Sequence, residues 1–321
     1  MLVCPACSGA LTQELMCAAC GWRGQFREAL PVLLPDPELN DQIARSYSDN
    51  YDQIAQDDLE EKVSHPRFRE NLARNFCEAI DLAPGAEVCD IGAGQGVLAR
   101  KLIERGAASV TAVDISLPYL VRMTGQAGVS PVMANAETLP FVEHFDVVVT
   151  TDVLEHVLNI GSFLYCLNRA LRSGGRLYVR VPYRENLLCY SPHFGCPYRF
   201  VHFRTFDRTL LRQALQEAGF VVERMWFDGY LPGQPRSIWS RGRPQRKLYR
   251  FFEEGLRRSG RDPADVTLQP HGLRQIFLQP TVIAATARKV KRLVPLAEGW
   301  KKWPGFELKD PLQSNDVKPE A

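Results

Sequence analysis

An acidic residue followed by three alternating glycines is the chemically most distinctive stretch of this chain. Asp90 precedes Gly92, Gly94 and Gly96. A short apolar run comes before the stretch, and a segment with helical spacing begins at Val97, which predicts a strand, a glycine turn and a helix N-terminus. Such a turn needs glycines because the backbone bends sharply and approaches a ligand with no Cβ in the way. The stretch therefore predicts a nucleotide-type binding loop.

The spacing of these glycines indicates the class of ligand. A dinucleotide loop has the pattern G-x-G-x-x-G and places a pyrophosphate at the helix N-terminus, whereas here the third glycine comes one residue early. Asp90 would repel a phosphate at close range, but it suits a ligand with a cationic amine. S-adenosylmethionine (SAM) carries a sulfonium and an α-amino group and has no phosphate, so the loop favours SAM.

Three further segments follow in the order that a nucleotide-binding sheet requires. Ser109–Asp114 has the composition of a second strand that ends in an acid, about 20 residues after the glycines, where a carboxylate can accept both ribose hydroxyls. A third strand leads into residues 135–141, and residues 144–157 contain a fourth, buried strand that runs into a loop. Ligands bind beyond the carboxyl ends of the strands in such sheets, so we expect these segments to surround one cleft.

These motifs resemble those of class I SAM-dependent methyltransferases of the ubiquinone/menaquinone-biosynthesis type. The family pattern D-x-G-x-G-x-G corresponds to residues 90–96, its D-A-E-x-L-P-F to residues 135–141 with Asn135 in place of Asp, and its V-L-E-H-V to residues 153–157. The resemblance spans residues 80–230 and resumes near 280. It implies an α/β fold, with a seven-stranded Rossmann-like sheet that is mostly parallel and has an antiparallel last strand.

The resemblance also implies a set of SAM-binding residues. They come from the glycine loop, the ends of the next three strands, and an N-terminal Y-D-x-I-A helix that lies over the donor. The expected contacts are Tyr51, Asp90, Gly92, Ala93, Gly94, Gly96, Asp114, Ile115, Asn135, Ala136, Glu137, Thr151 and Asp152.

Four cysteines near the start form a second chemical motif. Cys4 and Cys7 make one CxxC turn, Cys17 and Cys20 make another, and nine residues separate the two. Two such turns can present four thiolates to one tetrahedral ion, which predicts a structural zinc site. Disulfides are the alternative for a secreted chain, and nothing in the sequence suggests secretion.

The segment that follows these cysteines carries a resemblance of its own. Residues 29–35 resemble the G-I-P-x-L-L-P segment of the small zinc-ribbon proteins that activate tRNA and protein methyltransferases. By this resemblance, the ribbon either binds a partner or substrate or caps the catalytic domain.

Three histidines are candidates for proton transfer. A general base assists methyl transfer when the acceptor is a hydroxyl or an acidic carbon, and an imidazole titrates near neutrality. The candidates are His156, His193 and His202, although His156 has the alternative role of packing a helix. The loop at 151–156 lacks the N/D-P-P-Y/F of exocyclic-amine methyltransferases, and no Pro-Cys nucleophile of 5-methylcytosine enzymes follows. O-, C- or another N-methylation is therefore favoured.

The loop after the fifth strand leaves a further metal site open. Cys189, His193, Cys196 and His202 carry metal-binding groups within a short stretch. A second zinc site is one interpretation, although the spacing fits no common pattern. The alternative is a set of loop residues packed over the site.

Length and composition bound the organisation of the chain. Its 321 residues allow one large domain with small appendages. We expect a zinc ribbon at 1–37, a linker and lid helices at 38–82, a methyltransferase domain at 83–290 with an insertion at 231–279, and a tail at 291–321. No apolar run approaches the ~20 residues of a membrane span, and no leader pattern opens the sequence. A cytoplasmic location is expected.

Charge is distributed unevenly along the chain. Residues 1–150 carry 11 Lys and Arg against 21 Asp and Glu, and the remainder carries 28 against 16. One explanation is a pair of solvated faces of opposite charge that attract each other. The other is a basic region that binds an anionic ligand, nucleic acid or a phosphorylated carrier. Arginines alternate with aromatic residues in 231–279, which suits RNA or a phosphorylated substrate. A lid helix or a homodimer contact explains them equally well.

Three functions remain in order of preference. The first is SN2 methyl transfer from SAM to a small-molecule, carrier-linked or glycan-linked biosynthetic intermediate. The second is an RNA methyltransferase that grips phosphates with the ribbon and the basic insertion. A non-catalytic SAM-fold scaffold or regulator comes last, because such proteins are expected to have a damaged glycine loop and residues 90–96 are intact.

Overall fold

The computed structural model describes residues 2–35, 42–63, 66–185, 187–227 and 282–293. Within these residues, two helices precede the third strand, and most of the later strands are separated by helices. The helices are α1 (Gln42–Leu59), α2 (Pro66–Glu78), α3 (Val97–Glu104), α4 (Leu117–Met123), α5 (Ile160–Ala170) and α6 (Arg208–Glu217). The strands are β1 (Gln25–Arg27), β2 (Leu30–Val32), β3 (Glu87–Ile91), β4 (Ser109–Asp114), β5 (Val129–Met133), β6 (Phe145–Thr151), β7 (Leu171–Pro182), β8 (Phe220–Phe227) and β9 (Val282–Lys289).

All nine strands form one sheet in the order β1-β2-β5-β4-β3-β6-β7-β9-β8. The five strands from β3 to β7 are parallel, and β9 runs antiparallel to both β7 and β8. The predicted antiparallel last strand is therefore confirmed. The strand order reverses between β3 and β6, so the crevice at this switch point is where an open α/β sheet binds its ligand.

The sheet has nine strands, two more than the predicted seven. The extra strands, β1 and β2, form a hairpin directly after the cysteine motif. β2 joins the parallel sheet because Val32 pairs with Met133 and the Leu33 amide donates to the Met133 carbonyl at 2.8 Å. The ribbon is therefore continuous with the sheet.

Side-chain packing joins the ribbon to the same core. The Val3 amide donates to the Pro140 carbonyl at 2.8 Å, and the Arg169 guanidinium donates to the Ser8 hydroxyl at 2.8 Å. Buried residues of the ribbon and of the sheet form one apolar cluster, which includes Cys4, Cys17, Trp22, Leu33, Leu139, Phe141 and Phe145. Removal of apolar side chains from this cluster would destabilise both parts of the chain.

Helices cover both faces of the sheet and hold its central strands away from water. One face packs against α2, α3 and α4, with buried side chains that include Phe76, Leu98, Leu102 and Leu120. The other face packs against α5 and α6, with Phe163, Leu167, Leu211 and Leu215. Burial on both faces explains why β3 and β6 are nearly continuous apolar runs.

Three expectations concern residues outside those described. The insertion at 231–279 lies there, as do the ribbon boundary at 37 and all of the tail at 291–321 except residues 291–293. Among the helices that are described, none combines the length and the apolar character needed to cross a membrane.

Candidate active site

A cavity of about 750 Å³ lies at the carboxyl ends of β3, β4, β5 and β6. Tyr47 and Tyr51 of α1 and the segment 189–202 contribute to its walls. Most of the predicted site residues line it: Tyr51, Gly92, Ala93, Gly94, Asp114, Ile115, Asn135, Ala136, Thr151, Asp152, His156 and His202. Asp90, Gly96, Glu137 and His193 are not among the lining residues.

Two glycines of the loop allow close packing against neighbouring side chains, and the remaining one leaves space for a ligand. All have positive φ, at 71°, 53° and 71° for Gly92, Gly94 and Gly96, a region that other residues rarely adopt. A Cβ on Gly92 would overlap Val153, and one on Gly96 would overlap Met123. A Cβ on Gly94 would meet nothing within 4 Å and would project into open space beside the cavity. Gly94 is thus the glycine that leaves room for a ligand.

The Asp114 carboxylate is fixed at the end of β4. One oxygen accepts the Gly94 amide and the other accepts the Ser116 amide, each at 2.9 Å. Burial, which outweighs these hydrogen bonds, raises the pKa of this carboxyl above its usual value. Each oxygen keeps a lone pair for a further donor. A carboxylate at this position of the fold suits ribose hydroxyls.

Asn135 and Glu137 shape the next turn. The Asn135 amide oxygen accepts the Glu137 backbone N–H at 2.9 Å and so begins a short 3₁₀ turn. The Glu137 carboxylate accepts the amides of Leu158 and Asn159 at 2.7 and 2.9 Å. Asn135 lines the cavity, whereas Glu137 anchors the segment that leads into α5.

Asp90 lies within the sheet rather than on the cavity wall. Its side chain is 1% exposed, and its Oδ2 atom has no hydrogen-bond partner within the described part of the chain. Burial, together with the charge of Asp114, raises the pKa of Asp90 to about 7. The position follows from β3, in which the residues from Val88 to Ile91 are all buried.

Helix α1 closes over the cavity through two fixed contacts. The Tyr51 hydroxyl donates to the Phe200 carbonyl at 2.9 Å and lies 2.9 Å from Nδ1 of His156. Asp52 accepts the Ser116 hydroxyl at 2.9 Å and the Leu117 amide at 3.1 Å, which ties α1 to the start of α4. The sequence prediction that this helix lies over the site agrees with this geometry.

A second acid of α1 was not predicted from the sequence. Asp58 is buried and accepts the Gln95 side chain at 3.0 Å and the Tyr119 hydroxyl at 2.9 Å. It also pairs with Arg69 of α2. These partners join α1 and α2 to the glycine loop and α4. No sequence signal marks Asp58, because it stands among other acids on a polar helix.

Asp152 lies where β6 ends at the cavity. Its backbone has φ +57°, and its carboxylate pairs with Arg180 from β7. A residue without glycine's freedom is held in this conformation only when its surroundings fix it. Thr151 and Asp152 both face the cavity.

Two of the three predicted histidines meet in the wall of the cavity. His156 and His202 lie edge to face with ring centroids 4.4 Å apart, and both line the cavity. Burial, reinforced by His202, lowers the pKa of His156 to about 4, so this ring is neutral at pH 7. The His202 ring stacks on Tyr190 at 4.0 Å. His193 is exposed on a 3₁₀ turn.

The structure brings the four ribbon cysteines together. Their sulfur atoms all lie within 4.8 Å of one another, with 3.7 Å between Cys4 and Cys20 and 3.5 Å between Cys7 and Cys17. Burial raises the pKa of the Cys17 thiol, but the backbone amides of Cys20 and Ala19 outweigh this effect and lower the pKa to about 7. Four thiolates in this arrangement fit a structural zinc ion.

The alternative second zinc site does not assemble from its expected members. Among the described residues, the other group able to hold a metal consists of Glu155, His156 and His202. Of the expected set, His202 alone belongs to it. Cys189 is exposed, as is His193.

Comparison with known proteins gives the family. The family described as "Methyltransferase domain" matches residues 55–224, which is more than half of the chain. This chain belongs to the methyltransferase domain family. The membership among class I SAM-dependent methyltransferases that the glycine motif predicts is thereby confirmed.

Curated relatives carry names from quinone biosynthesis. Demethylmenaquinone methyltransferase of Tropheryma whipplei (strain Twist) is 34% identical over 170 residues, covering 48% of this chain and 64% of the relative. Ubiquinone biosynthesis O-methyltransferase of Pseudomonas fluorescens (strain Pf0-1) is 34% identical over 110 residues, covering 32% of this chain and 46% of the relative. The chain thus spans less than two thirds of the length of these relatives.

A solved structure shows the same fold. It is a complex between the Haloferax volcanii Trm112 methyltransferase activator and a methyltransferase, and it aligns with a TM-score of 0.56 at 16% identity. The alignment covers 78% of this chain and 100% of the matched chain. The Rossmann-like methyltransferase fold predicted from the strand motifs is confirmed.

Proposed function

We propose that this chain transfers a methyl group from SAM to a small acceptor molecule held in the same cavity. The observation that carries the proposal is the continuity of this cavity. Its walls include both Gly94 and Asp114, which suit a donor, and His156 and His202. Membership in the methyltransferase domain family supports the reaction class.

The donor end fits SAM on structural grounds. Gly94 leaves open space beside the cavity, and the Asp114 carboxylate is held there with lone pairs to spare. Residues that would hold the donor are Tyr51, Gly92, Ala93, Gly94, Asp114, Ile115, Asn135 and Ala136, all of which line the cavity. When bound, SAM supplies an electrophilic methyl group on a sulfonium. The chain's own contribution is to orient the reactants and exclude water.

The acceptor end suits a small molecule. A cavity of about 750 Å³ falls within the range of roughly 300–1,000 Å³ that holds small ligands. Tyr190, Tyr198 and Val201 give this end an aromatic and apolar lining. The names of the relatives, which include O- and C-methyltransferases of quinone biosynthesis, support a quinone-type acceptor methylated at oxygen or carbon.

The ribbon is proposed to cap the catalytic domain. Its strand β2 pairs with β5, and its buried residues belong to the core beneath the sheet. A module attached through shared core packing contributes stability, which supports the cap over a separate partner-binding role. The RNA alternative depends on residues 231–279, which are outside the described part of the chain.

Calorimetry with SAM and with NAD tests the donor directly. We expect the full chain to bind SAM and its demethylated product and to give no heat with NAD. Methyl transfer from isotopically labelled SAM to reduced quinone precursors, followed by mass spectrometry, then tests the acceptor. NAD binding without SAM binding would overturn the proposal, and SAM binding with no transfer to any small acceptor would favour a scaffold.

A further inference from the structure

A buried carboxylate and two imidazoles converge at the acceptor end of the cavity. Glu155, His156 and His202 each offer one ligand atom, and these three atoms lie within 4.8 Å of one another. Glu155 is 1% exposed, and neither of its carboxylate oxygens has a hydrogen-bond partner among the described residues. A buried carboxylate with no partner is costly unless it is neutralised or bound to a cation. Either a proton or a bound cation must therefore neutralise this carboxylate.

Both imidazoles are oriented through their Nδ1 atoms. Nδ1 of His156 lies 2.6 Å from the Val201 carbonyl oxygen. Because a carbonyl only accepts, this nitrogen carries the proton and Nε2 keeps its lone pair. Nδ1 of His202 contacts the Glu185 carboxylate, which favours the same tautomer. Metal-binding histidines characteristically donate their second N–H to a carbonyl or a carboxylate in this way.

The unprotonated nitrogen of His156 lies near the Glu155 carboxylate. Nε2 of His156 lies 3.8 Å from Oε1 of Glu155. Two ligand atoms bound to one ion at about 2.1 Å are roughly 3.4 Å apart in a tetrahedral site, so ion binding would draw these atoms slightly closer together. The neighbouring acid Asp152 is already paired with Arg180.

We propose that Glu155, His156 and His202 bind a divalent transition-metal ion at the acceptor end of the cavity. Two imidazoles and one carboxylate suit Zn²⁺, Fe²⁺ or Co²⁺ rather than Mg²⁺ or Ca²⁺, which prefer oxygen ligands. Three protein ligands leave a coordination position open. Because His156 and His202 line the cavity, a bound acceptor can reach that position.

The ion would deepen the proposed function, and this part of the inference rests on that function. A hydroxyl bound to a divalent ion loses its proton more readily. The ion would thus ease deprotonation of an acceptor hydroxyl, whose proton would pass to solvent water without a histidine base. It differs in kind from the four-cysteine site, which has no position left for a substrate.

Metal content measured on the full chain tests the site. The protein is stripped with a chelator, refilled with Zn²⁺, desalted and weighed by native mass spectrometry. Glu155→Gln and His202→Gln each remove one ligand with little change in size. His193→Gln is the matched control, because His193 is an exposed histidine of the neighbouring loop that lies outside the cluster.

We expect the unaltered chain and His193→Gln to hold one zinc ion more per chain than Glu155→Gln and His202→Gln. The same zinc content in all four proteins would overturn the inference. Circular dichroism checks that each variant folds. If Glu155→Gln does not fold, the zinc content of His202→Gln tests the site. SAM calorimetry on the same samples reports separately on the proposed function, since loss of SAM binding leaves the zinc count unaffected.

Discussion

The Asp114 carboxylate accepts the backbone amide of Gly94 at 2.9 Å and so connects the end of β4 to the glycine loop that follows β3. The same carboxylate accepts the Ser116 amide at the start of α4. One side chain therefore sets both the shape of the loop and the charge at the donor end of the cavity.

Replacement of Asp114 by Asn should weaken SAM binding. A hydrogen bond to a charged group contributes about 1.5–3 kcal/mol, so we expect the Kd for SAM to rise roughly 10- to 100-fold, as measured by calorimetry. Asp81→Asn is the control, because Asp81 is 78% exposed and pairs with a surface arginine. Equal SAM affinity in the two variants would show that Asp114 does not bind SAM.

Gly94→Ala should block the donor end of the cavity. Gly94 and Gly174 both have positive φ, at 53° and 76°, and a Cβ on either meets nothing within 4 Å. Each Ala substitution should therefore lower the free energy of unfolding by a similar amount, roughly 1–2 kcal/mol, because a residue with a Cβ is strained at positive φ. Gly94 alone of the two lines the cavity, so Gly94→Ala should lose SAM affinity while Gly174→Ala retains it. Thermal melts and calorimetry on both variants separate strain from binding, and equal affinities would contradict the assignment.

Asp90 should make stability depend on pH. Burial raises its folded-state pKa to about 7 from the ordinary value of 3.8, so the folded chain binds more protons than the unfolded chain between those values. Stability from this group is full below about pH 4 and is lost as pH rises towards 7, by on the order of 4 kcal/mol. Urea unfolding at several pH values should show this loss in the unaltered protein and a flatter profile in Asp90→Asn. Parallel profiles would show that Asp90 keeps an ordinary pKa.

Removal of zinc from the ribbon should destabilise the whole described core. Cys4 and Cys17 belong to the same apolar cluster as Phe141 and Phe145, so the ribbon is not expected to melt alone. Cys7→Ser should lower the Tm by several degrees, since about 1 kcal/mol shifts the Tm of a domain of this size by roughly 2–4 °C. Cys189→Ser is the control, because Cys189 is exposed and lies outside the cysteine cluster. Two separate melting transitions would contradict a shared core.

Strongly patterned elements were predictable from sequence alone. The predicted strand at 109–114 coincides with β4, and the predicted helix that begins at Val97 coincides with the start of α3. Helix α6 begins at Arg208, and the side chain of the preceding Asp207 accepts the Thr209 and Leu210 amides at 2.9 Å. Buried parallel strands need continuous apolar runs and helix starts need capping acids, so local patterns determined these elements.

Other features depend on contacts between distant parts of the chain. All three residues of β1 are exposed, and β2 belongs to the sheet through its pairing with Met133. The glycine motif predicted Asp90 at the ligand, whereas in the structure this side chain is buried and is not among the residues that line the cavity. Glu155 and His202 meet only because the loop after β7 folds back over β6, where the Phe203 amide donates to the Glu155 carbonyl at 3.0 Å. No local periodicity encodes such meetings.

The attachment of β2 to β5 has a consequence for self-association. An open strand edge presents unpaired amides and carbonyls that can recruit a second chain. With the hairpin in place, the outermost strand on that side is β1, whose three residues include Arg27. Short, charged edges resist such pairing. A chain shortened to begin after residue 35 would leave Met133, at the carboxyl end of β5, without its pairing partner Val32, so the cysteine-rich segment also covers that end of the strand edge.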